Sequence, residues 1–140
     1  MKITYLVLDD ERLLRNQFVK HIRKKYLQPE DLLLDYGDAD TLIDDLPKMK
    51  PPLDVCILDV NMPGVNNGID ACQAIKKASP GSKVYMLTSS GDDMTRQLCM
   101  DAGAEEVVIK PQGRIGMKAA LEGIVDAARG HSANPFDTNN

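Results

Sequence analysis

VCILDVNMPG, residues 55–64, is the stretch that decides how this chain folds. Its first four residues are all apolar and leave no polar face, which suits a strand covered on both sides of a parallel sheet. Asp59 closes the run, and turn residues follow at once. Reading outward, three further runs share that build: YLVL (5–8) stops at Asp9-Asp10, VYML (84–87) at Thr88, and VVI (107–109) at Lys110-Pro111. Helical crossovers between parallel strands bring the carboxyl ends of such runs to one sheet edge, where α/β proteins bind ligands. Three carboxylates, a hydroxyl and an ammonium, far apart in sequence, are thereby expected in one shallow cleft.

Between these runs the hydrophobic period changes. After a first strand over about Ile3 to Leu8, a helix from about Glu11 to Tyr26 carries Leu14, Phe18 and Ile22 as one stripe. Leu32 to Tyr36 reads as the second strand, with a short helix from about Ala39. Pro47 should end that helix, and Pro51-Pro52 should stiffen the next loop. Asp54 to Asp59 is the third strand. NMPGVNNG (61–68) is turn chemistry, and a helix from Ile69 to Ala78 is closed by Ser79-Pro80-Gly81. Lys83 to Thr88, a helix from Asp92 to Ala102 stopped by Gly103, Val107 to Ile109, and a last helix near Ile115 to Arg129 complete the pattern. Met117, Leu121 and Ile124 give that last helix a core-facing stripe. The expectation is an α/β fold, a doubly wound five-stranded parallel sheet with helices on both faces. One domain spans 1–130, and HSANPFDTNN (131–140), which carries no period, is expected to be a loose tail.

Composition narrows the classes. Of 140 residues, 43% are hydrophobic and 27% charged, which places the chain with globular rather than disordered sequences. No apolar stretch approaches the roughly 20 residues of a membrane span. The first residues, MKITYLVLDDER, meet acids too early for a signal peptide, so a cytoplasmic location is expected. A net charge of −4 argues against direct contact with nucleic acid. The basic cluster Lys20, Arg23, Lys24 and Lys25 suits a helix C-terminus and its dipole. Cys56, Cys72 and Cys99 form no CxxC pair and read as reduced thiols, with Cys56 in the core. His21 and His131 have no companion ligands. Met86, Met94, Met100 and Met117 read as core gap-fillers, with an adaptable partner surface as the alternative.

The chemistry of the expected cleft follows from its residue types. Asp9, Asp10 and Asp59 are like charges whose closeness is costly unless a cation compensates. Oxygen ligands with room for water suit Mg²⁺, or Mn²⁺ from the same class. Simple capping of the first helix by Asp9 and Asp10 is the plainer alternative, and the two are compatible. A rigidly held Asp59 can attack phosphorus and form an aspartyl phosphate. Lys110 can pair with Asp59 or with a phosphoryl oxygen, and Thr88 can donate a hydroxyl hydrogen bond. Taken singly, a strand-end lysine and a Thr88 turn before Gly91 would be unremarkable; four such features at four strand ends are not.

YLVLDDE, VCILDVNMPG, MLTSSGD and DAGAEEVVIKP occur in order over about residues 2–129. In these motifs the chain resembles the receiver domain of two-component response regulators, of the single-domain, chemotaxis-regulator-like type. The resemblance implies a flavodoxin-like (βα)5 fold with strand order 2-1-3-4-5. It makes Asp59 the phosphoacceptor, Asp10 a direct metal ligand, Asp9 a holder of metal-bound water, and the Asn61 backbone carbonyl a further ligand. Thr88 takes the switch-hydroxyl position and Lys110 the phosphate-binding position, with a cis peptide at Lys110-Pro111. The implied donor is a histidine kinase or histidine phosphotransfer protein, and the output is binding of a downstream protein by a monomer that dimerises, if at all, on phosphorylation. Such a module catalyses only its own phosphorylation and dephosphorylation.

Three departures stand out. Val107 occupies the position of the usual switch aromatic and is too short to swing into space vacated by Thr88. MPGVNNGID is one residue longer than the usual MPGMDG turn, and the extra Asn66 or Asn67 is expected to be absorbed in left-handed geometry. Ser89 stands where Ala or Gly is commoner; its side chain narrows the path of attacking water, and with Asn61 and Ser90 it should tune the phosphoryl lifetime. One alternative reading is the N-terminal receiver of a longer regulator with a DNA-binding or enzymatic output. Another, a Mg²⁺-dependent phosphatase or phosphotransferase of the haloacid-dehalogenase kind, needs a second Asp where Asn61 stands.

Overall fold

The computed structural model describes residues 2–50 and 52–130. Five parallel strands, β1 (Thr4–Leu8), β2 (Leu32–Tyr36), β3 (Val55–Asp59), β4 (Lys83–Thr88) and β5 (Glu106–Ile109), form one sheet in the order β2-β1-β3-β4-β5. That is the flavodoxin-like order, with its switch point between β1 and β3. Among the described residues four α-helices connect them, α1 (Arg12–Lys25), α2 (Ala39–Asp45), α3 (Gly68–Ala78) and α4 (Asp93–Asp101), and α5 (Arg114–Ala128) follows the last strand. The expected elements are all present, with bounds within one residue of those the periodicity suggests.

Side-chain alternation along the strands builds two cores. Leu6, Leu8, Cys56, Leu58, Val84 and Met86 point to one face, where α2, α3 and α4 pack with Leu42, Ile75 and Cys99. Tyr5, Val7, Val55, Ile57, Tyr85 and Leu87 point to the other, against Phe18 and Ile22 of α1 and Met117, Leu121 and Ile124 of α5. Each fully buried aliphatic side chain contributes about 1.5–3 kcal/mol, so β1 and β3, buried along their whole length, hold the centre.

Pro47 marks the end of the α-helix as expected, but the chain keeps helical geometry for one more turn. The α-helical part of α2 stops at Asp45, and the chain continues for one 3₁₀ turn, Leu46–Lys48, with Pro47 in its first turn. A missing N–H is harmless there because that donor has no partner inside the turn. Pro51 and the segment 131–140 lie outside the described residues.

The one extra residue, Asn66 or Asn67, is handled differently from expectation. Among the described residues only glycines have positive φ, so neither Asn66 nor Asn67 is left-handed. Gly64, at φ +105°, makes the turn instead. Asn67 caps α3: its side chain accepts from Ile69 N and Asp70 N, and Asp70 accepts from Asn67 N.

The methionines divide. Met86 and Met117 are core residues, whereas Met94 is 75% exposed and Met100 also faces solvent. They lie on α4, whose narrow buried face is filled by Cys99.

Candidate functional site

Register sets the geometry. Leu8 pairs with Leu58, Asp59 with Leu87, and Thr88 with Ile109. The strands therefore end nearly level, and Asp9, Asp59, Thr88 and Lys110 emerge along one edge. Gly68 lets α3 start directly against that edge: a Cβ there would sit 1.9 Å from the Asp59 carbonyl oxygen.

Asp9 and Asp59 are both buried, while Asp10 is exposed. One carboxylate oxygen from each lies within 4.8 Å of the other two. Lys110 Nζ donates to Asp59 Oδ2 at 2.8 Å and stands 3.5 Å from Asp9 Oδ2. Asp59 Oδ1 accepts from Asn61 N at 3.2 Å, and Asp9 Oδ1 accepts from Glu11 N at 2.8 Å. Glu11, not Asp10, is the N-cap of α1 and makes no side-chain cap bond, so the capping alternative is met only by the local turn at Asp9. Arg15, unremarked in the sequence, braces this corner by donating to the Asp9 carbonyl at 2.8 Å and to Asp35 at 3.2 Å.

Burial sets the protonation balance. Desolvation pushes the Asp59 carboxyl above its usual range, against the opposing hydrogen bond and charge of Lys110. Asp9 is raised for the same reason, with the Glu11 N–H and Lys110 opposing and the neighbouring carboxylates adding to the rise. Burial disfavours the Lys110 ammonium, but Asp59 and Asp9 outweigh it and leave Lys110 above its ordinary value.

The site fits a hard divalent cation. Asp9 Oδ2 is buried and makes no hydrogen bond, with the Lys110 ammonium 3.5 Å away, and Asp9, Asp10 and Asp59 each offer a carboxylate oxygen close enough to share one ion. Three oxygen donors, one of them exposed enough to leave room for water, match the preference of Mg²⁺ and Mn²⁺.

Thr88 is buried, but its hydroxyl is spent locally. It donates to the Ser90 carbonyl and accepts from Ser90 N, both at 3.1 Å. Ser90 in turn bonds Asp92, which caps α4 by accepting from Thr95 N. Across the mouth, Asn61 Nδ2 reaches Ser89 Oγ at 3.3 Å. Val107 lies half-buried on β5 in the position expected for an aromatic. His21 stands apart between α1 and α5, with Nε2 3.0 Å from Glu122. Lys25 of the basic cluster pairs with the same glutamate at 3.3 Å, a contact worth little at the surface.

The response regulator receiver domain model matches residues 5–122, and the chain belongs to that family. It is 27% identical over 138 residues to the DNA-binding transcriptional activator EvgA of Escherichia coli K12, covering 96% of this chain and 61% of that protein. It is 32% identical over 109 residues to the transcriptional regulatory protein ResD of Bacillus subtilis 168, covering 76% of this chain and 41% of ResD. The chain thus spans less than two thirds of the length of either relative. In fold it is similar to the phosphorylated cyanobacterial phytochrome response regulator RcpA (TM-score 0.80, 13% identity, 96% and 99% of the two chains). It is also similar to a Mn²⁺-bound form of the response regulator Rcp1 (TM-score 0.77, 16% identity, 95% and 99%). Among the described residues no helix is long and apolar enough to cross a membrane.

Proposed function

We propose that this receiver takes a phosphoryl group onto Asp59 from the phosphohistidine of a kinase or phosphotransfer protein, with Mg²⁺ or Mn²⁺ held by Asp9, Asp10, Asp59 and the Asn61 carbonyl. The observation that carries the reading is Lys110 Nζ at 2.8 Å from Asp59 Oδ2, beside carboxylate oxygens close enough to share one ion. When bound, the cation neutralises charge that develops on the transferring phosphoryl oxygens. A carboxylate oxygen of Asp59 forms the new P–O bond while the donor P–N bond breaks, its electron pair returning to the imidazole. Lys110 then shifts from the carboxylate to a phosphoryl oxygen, and Thr88 exchanges its Ser90 partner for another. The Thr88–Ser90 turn is the element that must rearrange, and a cis bond at Lys110-Pro111 belongs to the same proposal.

The output surface is the face of α4, β5 and α5, where Met94, Leu98, Met100, Ile109 and Ile115 are exposed. With Val107 in place of an aromatic, that face responds weakly or by another route. Moving such a switch from mostly off to mostly on takes about 5.5 kcal/mol of differential stabilisation. The setting is cytoplasmic signalling, with a downstream protein as the receiver of the message and a monomeric module that dimerises, if at all, on phosphorylation. A second reading, the receiver of a longer DNA-binding regulator, is favoured by the greater length of EvgA and ResD; the intact mass of the native protein separates the two.

The test is incubation with Mg²⁺ and acetyl phosphate. A hydroxylamine-labile adduct that is lost in Asp59→Asn supports the proposal. Turnover of acyl phosphate without stoichiometric label on the protein would favour a phosphatase instead.

A further inference from the structure

The β3–α3 loop, residues 60–67, is fixed at both ends. Asn61 N bonds Asp59 Oδ1, Gly68 N bonds the Val60 carbonyl at 3.1 Å, and Asn67 caps the helix that follows. Its middle is held differently. Val65 is 92% exposed, so packing does not anchor it. The contact is with Asp40 of α2, 25 and 26 residues away: Oδ2 accepts from Val65 N at 3.3 Å, and Oδ1 accepts from Asn66 N at 3.0 Å and Asn66 Nδ2 at 2.7 Å. Gly64 makes room, since a Cβ there would lie 2.7 Å from Asp40 Oδ2.

We propose that Asp40 is a positioning residue, clamping the β3–α3 loop through Val65 and Asn66 in the conformation from which Asn61 serves the phosphoryl-transfer pocket. The inference rests on the Asp59 reading given above. A plainer role exists: an acidic residue in the first turn of α2 suits the helix dipole. That role needs no donor from another segment, yet this carboxylate collects three. Charge-assisted bonds of this kind are stronger than neutral ones. Asn66, one of the two residues by which the turn can be lengthened, supplies two of the donors. Released from Asp40, the loop samples many conformations, and placing the Asn61 carbonyl becomes part of the cost of binding a metal.

Mg²⁺ affinity of the full chain, measured by isothermal titration for wild type, Asp40→Ala, Asp40→Asn, Asn66→Ala and the Asp40→Ala/Asn66→Ala pair, tests this. Asp40→Ala should weaken binding roughly fivefold or more, the effect of losing one or two such bonds. Asn66→Ala changes no charge and should give part of that loss, Asp40→Asn should partly restore binding, and the double variant should fall short of additivity. Acetyl phosphate should follow the same order through its KM at raised Mg²⁺, with kcat little changed. Unchanged Mg²⁺ affinity in Asp40→Ala and Asn66→Ala, with Asp59 of the wild type still labelled, overturns the clamp alone. A loss in Asp40→Ala with none in Asn66→Ala assigns the effect to charge and also overturns it. A wild type that takes neither metal nor label overturns the reading of the pocket itself. If Asp40→Ala fails to fold, Asn66→Ala decides.

Discussion

Lys110→Met removes the only cation that reaches the carboxylate groups of Asp9 and Asp59 among the described residues. Its ammonium sits 2.8 Å from Asp59 and 3.5 Å from Asp9. At an effective dielectric near 20 these contacts are worth about 6 and about 5 kcal/mol of attraction. Desolvation of the ammonium returns several of those, and deleting one partner of a buried pair typically costs about 3–5 kcal/mol. Lys110 keeps 20% of its side chain exposed, which places the expected loss nearer about 2–3 kcal/mol. In Mg²⁺-free buffer at neutral pH, calorimetry should therefore show Tm lowered by roughly 6–12 °C. Added Mg²⁺ should raise Tm further in Lys110→Met than in wild type, because a doubly charged ion then enters a pocket with no competing ammonium. Unchanged Tm without metal would show that the ammonium does not stabilise Asp59. A smaller metal response in the variant would refute the charge balance drawn here.

Other perturbations probe separate parts of the account. Asp9 and Asp59 bind protons more tightly folded than unfolded, so their contribution to stability falls as pH rises from the ordinary carboxylate range through their raised values. Metal-free urea titrations should show Asp59→Asn gaining on wild type with rising pH across that window, and Mg²⁺ closing the gap at neutral pH. Asp92, held down to about 2 by Ser90 and the Thr95 N–H, behaves oppositely: its contribution is present above the ordinary range and lost as pH falls toward about 2. Ser89→Gly removes the partner of Asn61 across the mouth and should shorten the phosphoryl half-life roughly two- to tenfold, read by phosphate release. Gly68→Ala should destabilise by about 1–3 kcal/mol despite better helix propensity, since its methyl would overlap the Asp59 carbonyl; an unchanged denaturation midpoint contradicts this. Val107→Tyr should enlarge the amide shifts on α4 and α5 caused by beryllofluoride, a phosphoryl mimic; equal shifts in both proteins would show that residue 107 is not the relay.

The fold was legible because its signals are local. VCIL, YLVL and VYML are continuous apolar runs, and only a sheet covered on both faces buries them fully. The positions of Asp9, Asp59, Thr88 and Lys110 follow from those runs, since parallel register carries strand ends to a common edge. The loop after Asp59 was less transparent. Asn-rich turns suggest left-handed residues, yet a distant acid, Asp40, supplied an alternative partner for Asn66 while Gly64 took the positive φ. The capping box of Asn67 and Asp70 was readable from spacing alone. No local pattern could show Arg15 reaching the Asp9 carbonyl, because that bond depends on how the first helix docks. For Met94 and Met100, hydrophobicity suggested burial, but α4 turns only a narrow face inward.

Borohydride reduces an aspartyl phosphate to homoserine and so records where the acyl phosphate stood. After loading with acetyl phosphate and Mg²⁺, peptide mass spectrometry should find homoserine at position 59, and none when the metal is chelated. Homoserine at Asp9 or Asp10 instead, or an unaltered aspartate at 59 in fully loaded protein, would contradict the assignment of the phosphoacceptor.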